Sequence, residues 1–81
     1  MTRVSGSTDD LGLLKGLGTA IRTLRKSMDI SQEALADAAG IDRSHMGKIE
    51  RGERNVTLLN LVKIANALGQ KPSEVLAHAG L

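Results

Sequence analysis

QEALADAAGIDRSHMGKIE, residues 32–50, reads as two short helices joined by a tight turn. Ala36 falls where one helix must let another come close. Gly40, four residues on, takes the positive φ of a sharp turn without steric cost. Ile41 follows as an apolar plug. Leu35, Ala39, Met46 and Ile49 recur at helical spacing and supply the inward positions of the two arms. The outward positions of the second arm are Arg43, Ser44, His45, Gly47 and Lys48, which are polar, basic or small. An amphipathic helix with donors outside and a brace helix behind it is what reading a DNA major groove requires. The joint pattern is a helix-turn-helix.

The flanks of this stretch carry the signals that start and stop helices. Ser31 is a good N-cap for Gln32 to Ala39, although Ala34 stands where Glu or Gln would complete a capping box. Gln32 lies in the first turn beside free backbone N–H groups and the positive end of the helix dipole, a natural seat for phosphate. Asp42 caps the next helix, Arg43 to Arg51, and Gly52 ends it. Gly47 in mid-helix costs about 1 kcal/mol against alanine. Its position suggests that no side chain there holds the helix axis away from a partner surface.

Upstream, Leu17, Ala20, Ile21, Leu24 and Met28 make one apolar stripe and predict a helix from Leu17 to Met28. Gly12, Gly16 and Gly18 soften its start, each costing up to about 1 kcal/mol. Arg22 on another face is a candidate phosphate contact, and Lys26 reads as solvated. Residues 1–10, MTRVSGSTDD, have no apolar periodicity and read as a flexible segment, with Arg3 as a weak candidate for a minor-groove arm. Thr8 or Asp9 is placed to cap an early turn running from Leu11 to Leu14.

Downstream, Glu53 to Val56 form a polar loop, and Thr57 caps a helix to Leu68 with Leu58, Leu61, Ile64, Ala65 and Leu68 inward. Gly69 closes it. A last helix starts near Pro72, a residue tolerated in a first turn. Leu59, Val62, Val75 and Leu76, with Leu81, exceed one face of these last two helices. They are the candidate dimer surface, the competing assignment being the far side of the core. Residues 11–81 thus read as one DNA-binding domain with C-terminal dimerisation helices.

The totals bound the function. Eighty-one residues make one small domain that buries proportionally little surface. It contains no cysteine, and His45 and His78 stand alone, so neither disulfide nor metal site is expected, nor a cofactor or small-molecule ligand. Stability must come from compact helix packing, oligomerisation or both. The absence of aromatic residues argues against a reader of single strands, which stacks bases on aromatic platforms. A net charge of +2 names no partner by itself. Catalysis is not expected: there is no nucleophile–base pair at recognisable spacing, and Ser44 and His45 are helix neighbours that point to different faces.

The motifs LGTAIRTLR, SQEALADAAGI, IERGERN and LVKIANALG occur in that order between Leu17 and Leu76. On them the chain resembles the Cro/Xre-type phage-repressor family of helix-turn-helix DNA-binding domains. The run DRSHMGKIERGERNVTLLNLVKIANAL further resembles the small controller proteins of restriction–modification systems. The resemblance implies an all-α, compact five-helix bundle. It implies that Gln32 anchors phosphate, that Arg43, Ser44, His45, Gly47 and Lys48 face the groove, and that Arg54 and Asn55 grip the backbone or a neighbouring base. It also pairs Arg25 with Glu50 as a structural tie between the first helix and the end of the recognition helix. His45, where tyrosine or another polar residue is more usual, and the glycine-rich start depart from the controller pattern.

The expected function is a transcription regulator that binds double-stranded DNA as a homodimer on an inverted repeat, either a restriction–modification controller or a free-standing repressor. Its expected setting is the cytoplasm of a bacterium, or a phage within one, since no segment has the apolar length of a signal peptide or membrane span. Two alternatives are an antitoxin that represses its own operon and binds a toxin, and a protein-interaction module of the same fold.

Overall fold

The computed structural model describes Asp9 and residues 11–81. These residues form five helices and no strand: α1 Leu13–Ser27, α2 Gln32–Ala39, α3 Arg43–Glu50, α4 Leu58–Ala67 and α5 Pro72–His78. The expectation of a flexible segment over residues 1–10, with Arg3 as an arm and Thr8 as a cap, lies outside the described residues except at Asp9.

Local chemistry sets each boundary. Ser31 Oγ accepts from Ala34 N–H at 3.0 Å, Asp42 Oδ2 from His45 N–H at 3.2 Å, and Thr57 Oγ1 from Asn60 N–H at 3.1 Å. Each bond satisfies a first-turn donor that the helix itself leaves free. At the start of α5, Glu74 reaches back to accept from Lys71 N–H at 2.8 Å. Between α2 and α3, Gly40 has φ 68°, and the next N–H, that of Ile41, donates to Ala36 O at 2.9 Å. The left-handed residue reverses the chain within one turn, which a side chain at that φ would oppose.

The first helix starts earlier than its glycines suggest. It runs from Leu13, not Leu17, because Asp9 Oδ2 accepts from the N–H groups of Leu14 and Lys15 at 2.9 and 3.1 Å. That carboxylate stabilises the first turn as an anion near a helix N-terminus should. Gly18 is buried for a spatial reason. A Cβ there would fall 2.5 Å from the carbonyl oxygens of both Ile49 and Glu50, so the missing side chain lets α1 close on the end of α3. Met28 follows the helix as its C-cap and is half exposed, so it leaves the stripe it was expected to complete.

The core joins all five helices. Ile21, Leu35, Met46, Ile49, Ile64 and Val75 are its largest fully buried side chains. α2 packs on α4 and α3, while α1 packs on α3 and α5. Two expectations change here. Leu58, expected inward, is 75% exposed, because it occupies the first turn of α4 before the helix meets its neighbours. Val75, expected at a dimer surface, has no exposed area and belongs to the core. Its neighbour Leu76 points another way and is only half-buried. No helix among the described residues is long and apolar enough to cross a membrane.

Candidate nucleic-acid interface

α3 stands at the surface with its two faces sharply different. Met46 and Ile49 enter the core, whereas Arg43 and Ser44 are exposed and His45 and Lys48 half-buried. Arg43 Nη1 lies 3.6 Å from Glu33 Oε2 in the first turn of α2, with both side chains largely in solvent. An exposed pair of this kind contributes about 1 kcal/mol or less. Its consequence is orientation, because a carboxylate of the brace helix stands beside the first side chain of α3.

Gly47 does not lie open as expected. It is buried, and an added Cβ would fall 3.2 Å from Arg51 Nη1 and 3.3 Å from Gln32 Oε1. A glycine leaves a hollow on a helix surface, and here two long polar side chains from opposite ends of the motif close over it. The absent side chain makes room for the ends of Gln32 and Arg51.

Behind α3 lies a buried polar network. Arg25 donates from Nε to Glu50 Oε2 at 2.8 Å and from Nη2 to Glu50 Oε1 at 3.0 Å, a two-bond fork. Its Nη1 donates to Ile30 O at 3.0 Å. The two charged side chains are 11% and 3% exposed. Gln32 Nε2 also donates to Glu50 Oε1, at 3.2 Å. One carboxylate thus ties together α1, the first turn of α2 and the last residue of α3. No buried side-chain nitrogen or oxygen among the described residues is left without a partner. Gln32, expected at phosphate, turns its amide nitrogen inward to this network.

The other residues assigned to the DNA backbone are at least partly in solvent. Arg22 is exposed on α1, Arg54 is half-buried and Asn55 exposed in the loop before α4. Arg22, Arg25, Gln32, Glu50 and Arg51 line a cleft of about 240 Å³. At its edge Arg51 Nε donates to Glu53 Oε2 at 2.7 Å. That hydrogen bond holds the Glu53 carboxyl below its ordinary pKa, and the positive fields of Arg51, Lys48 and Arg54 act in the same direction. The same bond, with the charge of Glu53, raises the pKa of Arg51.

Sequence reasoning missed Glu33, Arg51 and Glu53. The available signal was the alternating run ERGER, residues 50–54, whose central glycine folds the following acid back onto the preceding base. Of the residues assigned to a dimer surface, Leu59 is 63% exposed and Val62 half-buried on α4, with Leu76 half-buried on α5.

A family profile described as Helix-turn-helix matches residues 21–75. The control protein C.SmaI of Serratia marcescens is 40% identical over 65 residues, covering 80% of this chain and 77% of that protein. The control protein C.BamHI of Bacillus amyloliquefaciens is 41% identical over 70 residues, covering 85% of this chain and 84% of that protein. The crystal structure of the restriction–modification controller protein C.AhdI from Aeromonas hydrophila superposes with a TM-score of 0.75 at 47% identity. It covers 76% of this chain and 94% of that one. With the glycine turn, the two capped arms and these similarities in agreement, the chain belongs to the Cro/Xre-type helix-turn-helix family.

Proposed function

We propose that this chain regulates transcription by binding a specific double-stranded DNA site as a homodimer, in the manner of the restriction–modification controllers it resembles. One observation carries the reading. The outer face of α3 presents Arg43, Ser44, His45 and Lys48, while Met46, Ile49 and the Arg25–Glu50–Gln32 network immobilise its inner face. A helix held this way presents its donors at a fixed angle, which base discrimination requires.

In this reading Arg43 and Lys48 donate to O6 and N7 of guanine, the arginine through two bonds in a fixed fork. A good bidentate contact discriminates by about 1 to 3 kcal/mol. Ser44 and His45 take base or backbone partners. Gln32, through its second amide hydrogen, with Arg22, Arg54 and Asn55, binds the sugar–phosphate backbone and sets the register. Gly47, on the same groove-facing side, contributes space rather than a donor side chain.

One recognition helix reads only a few base pairs, so two are needed on half-sites about one helical turn apart. Leu59, Val62 and Leu76 offer the apolar surface for a symmetric pair. Residues 11–81 form the DNA-binding and dimerising unit, with Asp9 capping its first helix.

The test is selection from randomised duplex DNA at two salt concentrations. The expected result is enrichment of an inverted repeat, with affinity falling steeply as salt rises. Absence of binding at low salt refutes the reading. Binding without an enriched site reduces it to nonspecific attachment.

A further inference from the structure

Arg51 and Glu53 belong neither to the core nor to the residues assigned a role above. Arg51 is the C-cap of α3. The chain then turns at Gly52, and Glu53 N–H donates back to Lys48 O at 2.9 Å. This return lays the Glu53 carboxylate against the Arg51 guanidinium, with Nε to Oε2 at 2.7 Å and Nη2 to Oε1 at 3.4 Å. The third guanidinium nitrogen, Nη1, sits over Gly47 beside Gln32 Oε1. Nη1 and Gln32 Oε1 thus approach the same point above Gly47, at the rim of the cleft.

The charge distribution around that cleft is uneven. Glu50 accepts three hydrogen bonds, two from Arg25 and one from Gln32, and the buried pair is neutral as a unit. Arg22 and Arg51 are the remaining cations of the lining. Among the described residues the ion-pair partner of Arg51 is Glu53, and their side chains are 59% and 52% exposed. A water-exposed pair is weak enough for a second anion to replace. Lys48 and Arg54 lie near enough to Glu53 for their charges to act on its carboxylate.

We propose that Arg51 is a further backbone-binding residue and that Glu53 is the internal counter-ion which a DNA phosphate displaces from it. This rests on the reading of the chain as a DNA-binding protein. Glu53 thereby limits affinity for any duplex, because docking must exchange one carboxylate partner for one phosphate. Gly47 leaves room for the guanidinium, since a Cβ there would stand 3.2 Å from Arg51 Nη1.

The test compares wild type, Arg51→Gln, Glu53→Gln and the double variant on the duplex enriched from randomised DNA, or on random-sequence duplex if none is enriched. Arg43→Ala serves as reference. All these side chains are exposed, and thermal melts verify that the fold is retained. Arg51→Gln is expected to weaken binding and to reduce the slope of log K against log salt by about 1. Glu53→Gln is expected to tighten binding about two- to fivefold, and to do so only when Arg51 is present. A gain that persists in full in the Arg51→Gln background overturns the exchange, because it reports simple repulsion between Glu53 and DNA. No effect of either substitution, with loss of affinity in Arg43→Ala, overturns this inference and leaves the DNA-binding reading standing. Failure of wild type to bind any duplex overturns both.

Discussion

Glu50→Gln removes the charge from the carboxylate that joins three elements and changes its shape very little. The Arg25 guanidinium is then left almost without solvent, its side chain being 11% exposed, and facing an amide in place of an anion. One of the two fork bonds is lost where the amide NH₂ meets guanidinium donors, and Gln32 loses its charged acceptor. Removing one partner of a buried pair costs about 3 to 5 kcal/mol, mostly because the remaining charge is uncompensated. A domain of 81 residues has a total stability of about 4 to 12 kcal/mol, so the variant is expected to be marginal at 37 °C. The double variant Arg25→Met/Glu50→Leu removes both charges and should recover most of the loss. Its residual deficit is about 1 to 2 kcal/mol, because Ile30 O loses the Nη1 donor and Gln32 Nε2 loses its acceptor. Urea titrations followed by far-UV circular dichroism measure both, with midpoint shifts read at unchanged slope. A loss below about 1 kcal/mol in Glu50→Gln, the value of an exposed pair, refutes the burial argument. A double variant no more stable than Glu50→Gln refutes the claim that the penalty comes from the stranded charge.

Three further outcomes are expected. Gly18→Ala should destabilise by about 1 to 3 kcal/mol, because the new Cβ meets backbone carbonyls that cannot move aside. Gly16→Ala, with Ala79 O at an ordinary 3.5 Å, should stabilise by up to about 1 kcal/mol. Thermal melts that place the two changes on the same side of wild type contradict this. Glu53 should titrate below its ordinary value by carbon-detected NMR and move up toward it in Arg51→Gln, where Lys48 and Arg54 still act on it. The folded-state pKa is depressed, so the stabilising contribution is present above the unfolded value and lost as pH falls through the folded one. Stability near neutral pH is therefore unaffected, and an unshifted midpoint rules out the ion pair in solution. Leu59→Lys should shift sedimentation toward monomer while leaving the melt of the monomer intact, whereas Val75→Ala should lower the melt itself. The reverse pattern would return Val75 to the interface.

The division between what sequence revealed and what it concealed follows the range of the interactions. The α2–α3 unit was legible because each of its signals is local: Ser31 and Asp42 each cap a donor three residues on, and Gly40 turns the chain where it stands. Asp9 was a candidate cap of an early turn. The start of α1 was nonetheless placed at Leu17, because Gly16 and Gly18 hid that this turn continues into the main helix. Gly18 and Gly47 look alike in sequence, as glycines within helices. One admits the backbone of another helix and the other two side chains, a difference that only tertiary contact creates. Val75 and Leu76 are adjacent apolar residues in a helix of seven, too short for periodicity to say which one faces inward. For Arg51 and Glu53 the charges were visible, but the pairing depended on how the chain turned at Gly52.

The short length of α3 explains why its polar brace matters. Eight residues rise only about 12 Å, and an isolated helix of that length does not persist in water. Its direction is therefore imposed by its surroundings. Met46 and Ile49 fix depth, but apolar contact is nondirectional and leaves rotation about the helix axis loosely specified. Hydrogen bonds at the last residue supply the missing constraint, since the Arg25 fork and the Gln32 amide hold Glu50 from two different helices. At the other end, Glu33 stands beside Arg43. The outward side chains are thus aimed by polar contacts at both ends of α3 and by apolar ones between them. A substitution at Glu50 should consequently blur base preference even under conditions where the domain remains folded.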